Sequence, residues 1–345
     1  MKFILFCTTI LISSTITFSQ KQLYRVAIGF YNVENLYDTL DTDNTNDTEF
    51  TPLGSNNWNS PKYWEKMDRL GEVIEQMGTD GTPDGIACLG LAEIENRSVL
   101  EDLVKNKRIQ KRHYEIIHHD GPDRRGVDVA FLYNPKYFSP TGYSSYTLKI
   151  PERDDFFTRD QLLVSGNLMG EKVHFIICHW PSRRGGEKRS APLRMAAASL
   201  ARHIVDSIQT ADGMNAKVIV MGDLNDDPVN KSVVKNLRSK SVLNEVTPQD
   251  MFNPFYDLYN KGIGSLAWQD VWNLFDQIIL SPGYAVNVPA NSWHFSKARV
   301  FNKPFLAQPD GRFKGYPFRS YAGGQYQGGY SDHFPTYIFL EKETE

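Results

Sequence analysis

Four scarcities bound the reading of this chain. Cysteine is nearly missing, with 3 in 345 residues. Cys7 falls in the apolar amino-terminal stretch, which leaves Cys88 and Cys178, each inside an apolar run. A disulfide-stapled scaffold is therefore excluded. Two positions permit a bridge without specifying one, and buried free thiols are the expectation. An excess of one charge is also missing. Lys+Arg number 38 against 41 Asp+Glu, a formal net charge of -3. That excludes coating a polyanion by bulk charge, so any nucleic-acid contact is local. Long apolar runs are missing after the first twenty residues, and no stable membrane association is expected. Internal repeats and linkers are missing too, so residues 20–345 read as a single domain.

The apolar run at the start reads as a secretory signal peptide over residues 1–19. Lys2 is a minimal positive region, Phe3 to Phe18 is apolar and hydroxyl-rich, and Thr17-Phe18-Ser19 precedes a cut before Gln20. Cys7 lies too far inside this run to serve as a lipoprotein cysteine. Cleavage removes Lys2 and no acid, which moves the net charge from -3 to -4. The expected location is secreted or periplasmic.

What is present is material for a core: 41% apolar residues, with 17 tyrosines and 20 phenylalanines. Strands are predicted at Arg25–Tyr31, Ile86–Leu91, Tyr114–Ile117, Val127–Tyr133, Leu162–Leu168, Val173–Cys178, Lys217–Met221, Phe275–Leu280 and Thr336–Leu340. Ser60-Pro61 opens a helix whose apolar face is Trp64, Met67, Leu70, Ile74 and Met77. Further helices are predicted from Ser98 to Asn106, along Leu193 to Ile208, and near Lys231 to Lys240. Strands arriving in pairs with helices interspersed predict an α+β fold, a four-layered α/β sandwich of two mostly antiparallel sheets with helices outside.

The polar residues gather at strand ends. Lys217 to Pro228 is the sharpest case: four apolar residues run into Gly222-Asp223-Leu224-Asn225-Asp226-Asp227. In extended backbone Asp223 and Asn225 point to one side. Alone, the stretch also reads as ordinary turn punctuation. The same pattern recurs at Asn32, Glu93, His179, Asp276, Asp332 and His333. Strands that end in single acids and histidines build one site at one edge of a sandwich.

The ordered set Asn32, Glu93, His179, Gly222-Asp223-Leu224-Asn225, Asp276 and Ser331-Asp332-His333 resembles the endonuclease/exonuclease/phosphatase superfamily, which includes deoxyribonuclease I, repair nucleases, sphingomyelinases and inositol polyphosphate 5-phosphatases. The resemblance runs from about Arg25 to Leu340. Asn32-Val33-Glu34-Asn35, Arg125-Gly126-Val127-Asp128-Val129-Ala130 and His179-Trp180-Pro181-Ser182 look most like secreted bacterial nucleases of that superfamily. Leu224 stands where phenylalanine is frequent, and Gln277 where an aromatic is common.

The resemblance implies a divalent metal, usually Mg²⁺, with Mn²⁺ or Ca²⁺ as alternatives. It places Glu93 and Asp332 as acidic ligands and Asn32 beside them. Glu95 is the local competitor for the Glu93 role. It implies a His333–Asp276 pair in which the imidazole is a general base or a phosphate-orienting group. His179 donates to a phosphoryl oxygen, Asp223 orients or deprotonates the attacking water, and Asn225 holds a phosphate oxygen. The other six histidines, at 113, 118, 119, 174, 203 and 294, read as structural. The residue that touches phosphate between the second and third motifs is not uniquely placed; Arg124 and Arg125 are the candidates, with Arg183 and Arg184 in the basic loop after His179.

The expected activity is a secreted metal-dependent phosphodiesterase, a nuclease cutting DNA, monomeric, with nucleic acid as substrate. The alternative is a phosphatase or phospholipase C-type enzyme acting on inositol phosphates or phospholipid headgroups. A non-catalytic binding module is disfavoured because the catalytic set is complete. The segment Trp293 to Tyr330 interleaves Arg299, Lys303, Arg312, Lys314 and Arg319 with aromatics. It is expected to be dispensable for the core and to grip nucleic acid.

Overall fold

The backbone alternates its side chains along each strand, and that alternation builds the layers. The computed structural model describes residues 22–43 and 45–344. The expected leader, with Cys7, lies outside the described residues. In chain order the main elements are β1 (Gln22–Leu36), α1 (Ser60–Gln76), β2 (Ile86–Ile94), α2 (Arg97–Val104), β3 (Glu115–His118), β4 (Asp128–Tyr133), β5 (Phe138–Tyr146), β6 (Gln161–Leu168), β7 (Glu171–His179), α3 (Glu187–Asp212) and β8 (Val218–Asp223). Then come β9 (Ser239–Lys240), β10 (Met251–Phe252), β11 (Leu266–Trp268), β12 (Val271–Asn273), β13 (Asp276–Leu280), β14 (His294–Val300), β15 (Tyr321–Ala322), β16 (Gln325–Tyr326) and β17 (Thr336–Thr344).

Two large sheets result. One has six strands in the order β14-β17-β1-β2-β4-β3, and the other has seven in the order β5-β6-β7-β8-β13-β10-β9. Both are mostly antiparallel, with β1–β2, β7–β8 and β9–β10 as parallel pairs. Val26, Ile28 and Phe30 of β1 pack between the sheets with Phe175, Ile177, Ile219, Met221 and Ile278. Ala27 and Tyr31, on the other face of β1, pack under α1 and α2. Val218 and Val220 of β8 pack under α3. Each sheet is thus buried on both faces, which is why its strands read as unbroken apolar runs. The four layers match the expectation, and Cys88 and Cys178 are both buried and free. Among the described residues, no helix is long and apolar enough to cross a membrane.

Four details differ from the sequence reading. Trp64 is 54% exposed, while Tyr63 and Lys66 are buried. The buried stripe Tyr63, Met67, Leu70, Ile74 follows the 3.6-residue period, and Trp64 falls one step off it. The polar strand β5 was not anticipated. A single π-helical turn at Ser232–Asn236 replaces the longer helix expected to Lys240, since Arg238 takes a left-handed φ of 61° and the chain enters β9. Most consequentially, Trp293–Tyr330 is not dispensable. Trp293 is fully buried, β14 pairs with β17, and Phe301, Leu306 and Tyr330 join the core under α1. Its aromatics close the edge of the first sheet because that face of α1 has no other cover.

Candidate active site

Strand register assembles one half of the site. His179 is paired with Asp223 across the parallel β7–β8 ladder, and Asp223 with Asp276 across the antiparallel β8–β13 ladder. Directly paired residues project to the same face, so the three side chains stand in a row. Gly222 makes this closeness possible. A Cβ there would lie 2.1 Å from the Cys178 carbonyl oxygen.

The other half comes from the facing sheet. Asn32 ends the regular part of β1, and its Nδ2 donates to Asp223 Oδ2 at 3.0 Å. Glu93 sits in a bulge of β2 with a left-handed φ of 67°. The bulge turns its carboxylate out of the pleat: Oε2 accepts from the Asn35 backbone N–H at 2.8 Å, and Oε1 lies 4.0 Å from His179 Nε2. Glu95, the competitor, is spent elsewhere. It accepts from the Asp38 N–H at 2.6 Å and from the Thr42 hydroxyl at 3.1 Å. Burial holds its carboxyl up at about 7.

Ser331-Asp332-His333 forms the loop before β17. The Ser331 hydroxyl donates to the Asn32 carbonyl at 2.7 Å and accepts from the His333 N–H at 3.1 Å. His333 Nδ1 lies 2.6 Å from Asp276 Oδ2, and Nε2 lies 3.8 Å from Asp223 Oδ2. The expected imidazole–carboxylate pair is therefore formed. Burial works to lower the His333 imidazole, but Asp276 and Asp223 outweigh it and push it well above the ordinary histidine value. His179 goes the other way. Burial, then Arg159 and Arg125, hold it well below that value. Burial raises the Asp223 carboxyl to about 6, with His333 opposing the rise and Asp276 adding to it. Two imidazoles driven apart in this way are suited to different tasks, one a cation and one a neutral donor–acceptor.

The remaining expected residues divide. Arg124, Arg125 and Arg184 line the cavity of about 650 Å³ that holds Glu93, His179, Asp223, Asn225 and His333. Arg183 is not among the residues that line this cavity. Its guanidinium donates to the Asn225 carbonyl at 3.0 Å and to Asp227 at 3.1 Å, and it lies 4.5 Å over the Phe275 ring. It clamps the turn after β8 because Asp226 and Asp227 are buried there and need a cation. Asn225 has left the extended backbone, with φ 50°, so it does not share a strand face with Asp223. Its Nδ2 donates to the Trp180 carbonyl, and its N–H to Asp223 Oδ1, both at 2.9 Å. Asp332 has one oxygen on Arg319 Nη2 at 2.8 Å and the other 4.0 Å from His333 Nε2. His174 is a satisfied core histidine, while His118 lies between Asp120 and Asp128 at 3.7 and 3.6 Å.

Two contributors were not anticipated. Arg159 is buried on the cavity wall, where it donates to Asp123 and to the Trp180 carbonyl and keeps Nε without a partner. In sequence it is one arginine in a polar loop, with no signal to mark it. Glu34, two residues past Asn32, is buried with φ 53°. It accepts from Arg319 and from the Ser320 N–H and lies 3.8 Å from buried Lys66. The quoted Asn32–Asn35 stretch contained it without marking a role.

The donor set fits a hard divalent cation. Asp223, Asp276 and His333 bring ligand atoms within 4.8 Å of one another, Glu93 and Asp332 each place a carboxylate oxygen 4.0 Å from an imidazole of the site, and the buried Asp276 Oδ1 lacks a partner. Oxygen donors of this kind suit Mg²⁺, Mn²⁺ or Ca²⁺.

A family model described as the Endonuclease/Exonuclease/phosphatase family matches residues 27–342. No curated protein matches the sequence. Among solved structures, an endonuclease/exonuclease/phosphatase family protein from Bacteroides thetaiotaomicron is 16% identical with a TM-score of 0.54, over 94% of this chain and 97% of that one. D. rerio TDP2 complexed with single strand DNA product is 14% identical with a TM-score of 0.53, over 92% and 98%. A mannosyl-6-phosphatase from B. thetaiotaomicron is 17% identical with a TM-score of 0.54, over 91% and 99%. At these identities the likeness is one of fold.

Proposed function

The chain belongs to the endonuclease/exonuclease/phosphatase family and is a phosphate-ester hydrolase, and on that premise we propose that it is a divalent-metal-dependent phosphodiesterase whose substrate is nucleic acid, DNA first. The observation that carries the hydrolytic reading is the His333–Asp276 pair beside Asp223 in one cavity with Glu93. Glu93 and Asp332, with Asn32 beside them, are the residues to hold Mg²⁺ or a similar cation, which would neutralise charge on the phosphoryl group. Asp223 is set to orient the attacking water, held by the Asn32 amide on one side. His333, kept cationic by its two carboxylate neighbours, donates from Nε2 to a phosphoryl oxygen. His179, kept neutral, offers a hydrogen bond without adding charge. Arg124, Arg125 and Arg184 line the same cavity and would receive the flanking phosphates.

The DNA reading draws support from the complete residue set and from the fold shared with D. rerio TDP2, whose structure holds a DNA product. A second reading, a phosphatase or phospholipase C-type enzyme, has an observation of its own. With Arg159 the wall carries four guanidinium groups, which also suit a dianionic monoester. The test is a panel of plasmid DNA, single-stranded DNA, a phospholipid, an inositol phosphate and a sugar phosphate, each with and without EDTA. Hydrolysis of DNA that EDTA abolishes and Glu93→Gln abolishes is the expected result. Turnover of monoesters alone would transfer the site to the second reading. The proposal extends to export after cleavage of residues 1–19, checked by sequencing the amino terminus of the protein recovered outside the cytoplasm. It also extends to a monomer, checked by light scattering.

A further inference from the structure

Among the described residues, two groups of acids and histidines hold their ligand atoms within 4.8 Å of one another. One is Asp223, Asp276 and His333 of the catalytic site. The other is His118, Asp120 and Asp128, none of which lines the catalytic cavity. Strand pairing makes this second group. His118 ends β3 and is paired with Ala130 of β4, and Asp128 lies two residues before Ala130. Side chains two apart on a strand share a face, so the imidazole and the carboxylate are diagonal neighbours. Asp120 enters from the turn that leaves β3.

The His118 side chain is 2% exposed, and its Nε2 is buried without a hydrogen-bond partner. Nε2 stands 3.6 Å from Asp128 Oδ2, and Nδ1 stands 3.7 Å from Asp120 Oδ1. Both gaps are too long for hydrogen bonds. A buried polar atom left in that state costs free energy. The Nε2 gap suits donors that share an ion: two ligand atoms each about 2.1 Å from one metal, at a tetrahedral or wider angle, stand roughly 3.4–3.6 Å apart. The Asp128 carboxylate is held in place, since Oδ1 accepts from the Gly121 N–H at 2.9 Å. The Asp120 side chain is 84% exposed, which gives the group a path to water.

We propose that His118, Asp120 and Asp128 form a second metal site, for a transition-metal ion of the Zn²⁺ type, with water in the remaining position. An imidazole beside carboxylates selects such ions over Mg²⁺, which is held through oxygen. The site goes beyond the phosphodiesterase reading and does not depend on the substrate. Its ion is a staple rather than a reactant. His118 and Asp128 bound the turn that carries Arg124 and Arg125 into the catalytic cavity, and one ion ties the two ends of that turn together.

The experiment titrates Zn²⁺ by calorimetry into EDTA-stripped full-length protein in a large excess of Mg²⁺. Wild type is compared with Glu93→Gln, His118→Gln, Asp128→Asn and Asp120→Asn. Wild type and Glu93→Gln should each bind one Zn²⁺ per chain. His118→Gln and Asp128→Asn should lose that binding, and Asp120→Asn should weaken it at least about tenfold. Zn²⁺ should also raise the urea midpoint of wild type and leave that of His118→Gln unmoved. Asp120 is exposed, so Asp120→Asn decides the matter should either buried variant fail to fold. Wild type that binds no Zn²⁺, or binding that Asp120→Asn does not weaken, overturns the site. Loss of binding in Glu93→Gln would assign the ion to the catalytic cavity and overturn it equally.

Discussion

The two imidazoles face one reacting centre from opposite sheets, and their surroundings set them different work. His333 has a carboxylate on each nitrogen; His179 has two arginines nearby and Nδ1 buried without a partner. Removing a general acid or charge donor typically costs roughly 10²–10⁴ in rate. His333→Ala should lose that much in kcat, measured on an activated diester. Asp276→Asn should lose less, because the amide keeps the ring's position and withdraws only the charge. An Asp276→Asn enzyme with full activity would remove the pair from the mechanism. Arg183 makes a contrasting case. Arg183→Ala should lower stability by about 1–3 kcal/mol in urea denaturation, because it strips buried Asp227 of its partner. A rise in KM with unaltered stability would return it to the substrate.

At the scale of elements, site geometry depends on strands approaching closely and ending in step. Gly222 is the point where β7 and β8 have no room to spare, with the Cys178 carbonyl 2.1 Å from where a Cβ would stand. Gly222→Ala should destabilise the protein by about 1–3 kcal/mol or more. It should also lower kcat, since Asp223 and His179 sit on the two displaced strands. A variant with the wild-type urea midpoint would mean the pair can separate freely. Elements of strong period were legible in advance: β1, β2, β4, β6–β8 and α1 fall where their apolar patterns put them. The polar edge strand β5 carries no such pattern. The failed helix near Lys231 had the composition of one but ends at a left-handed arginine, which tertiary contacts impose.

For the whole molecule, packing on both faces of both sheets leaves a few titratable groups inside, and stability should follow pH through them. His174 is buried on β7, between Ser165 Oγ at 2.8 Å and Asp212 Oδ2 at 2.9 Å. Burial lowers its imidazole below 6.5 although Asp212 resists. As pH falls through 6.5, the unfolded chain takes up a proton that the folded chain refuses until lower pH. The unfolded state then holds more protons, so stability falls with acidification over that window. Between about pH 8 and about pH 5 the urea midpoint of His174→Gln should fall less on acidification than that of the wild type, because the variant lacks this contribution. A steeper slope in that variant would reverse the sign assigned here.

The order of residues alone determined the layers, the strands that carry the site and most of the side chains that meet in it. It could do so because buried strands are written as apolar runs, and a polar residue at the end of one is conspicuous. The tertiary structure decided what long-range contact controls. Asp226 and Asp227 claimed Arg183. The loop at Asp38–Thr42 claimed Glu95. The uncovered flank of α1 drew in the aromatics of Trp293–Tyr330. Arg159 came to the site from a position that looks like any polar loop, and Glu34 found its partners, Arg319 and the Ser320 N–H, some 285 residues further along the chain. Each outcome is a competition for a partner between groups far apart along the chain. Local sequence carries no record of which group stands close enough to win.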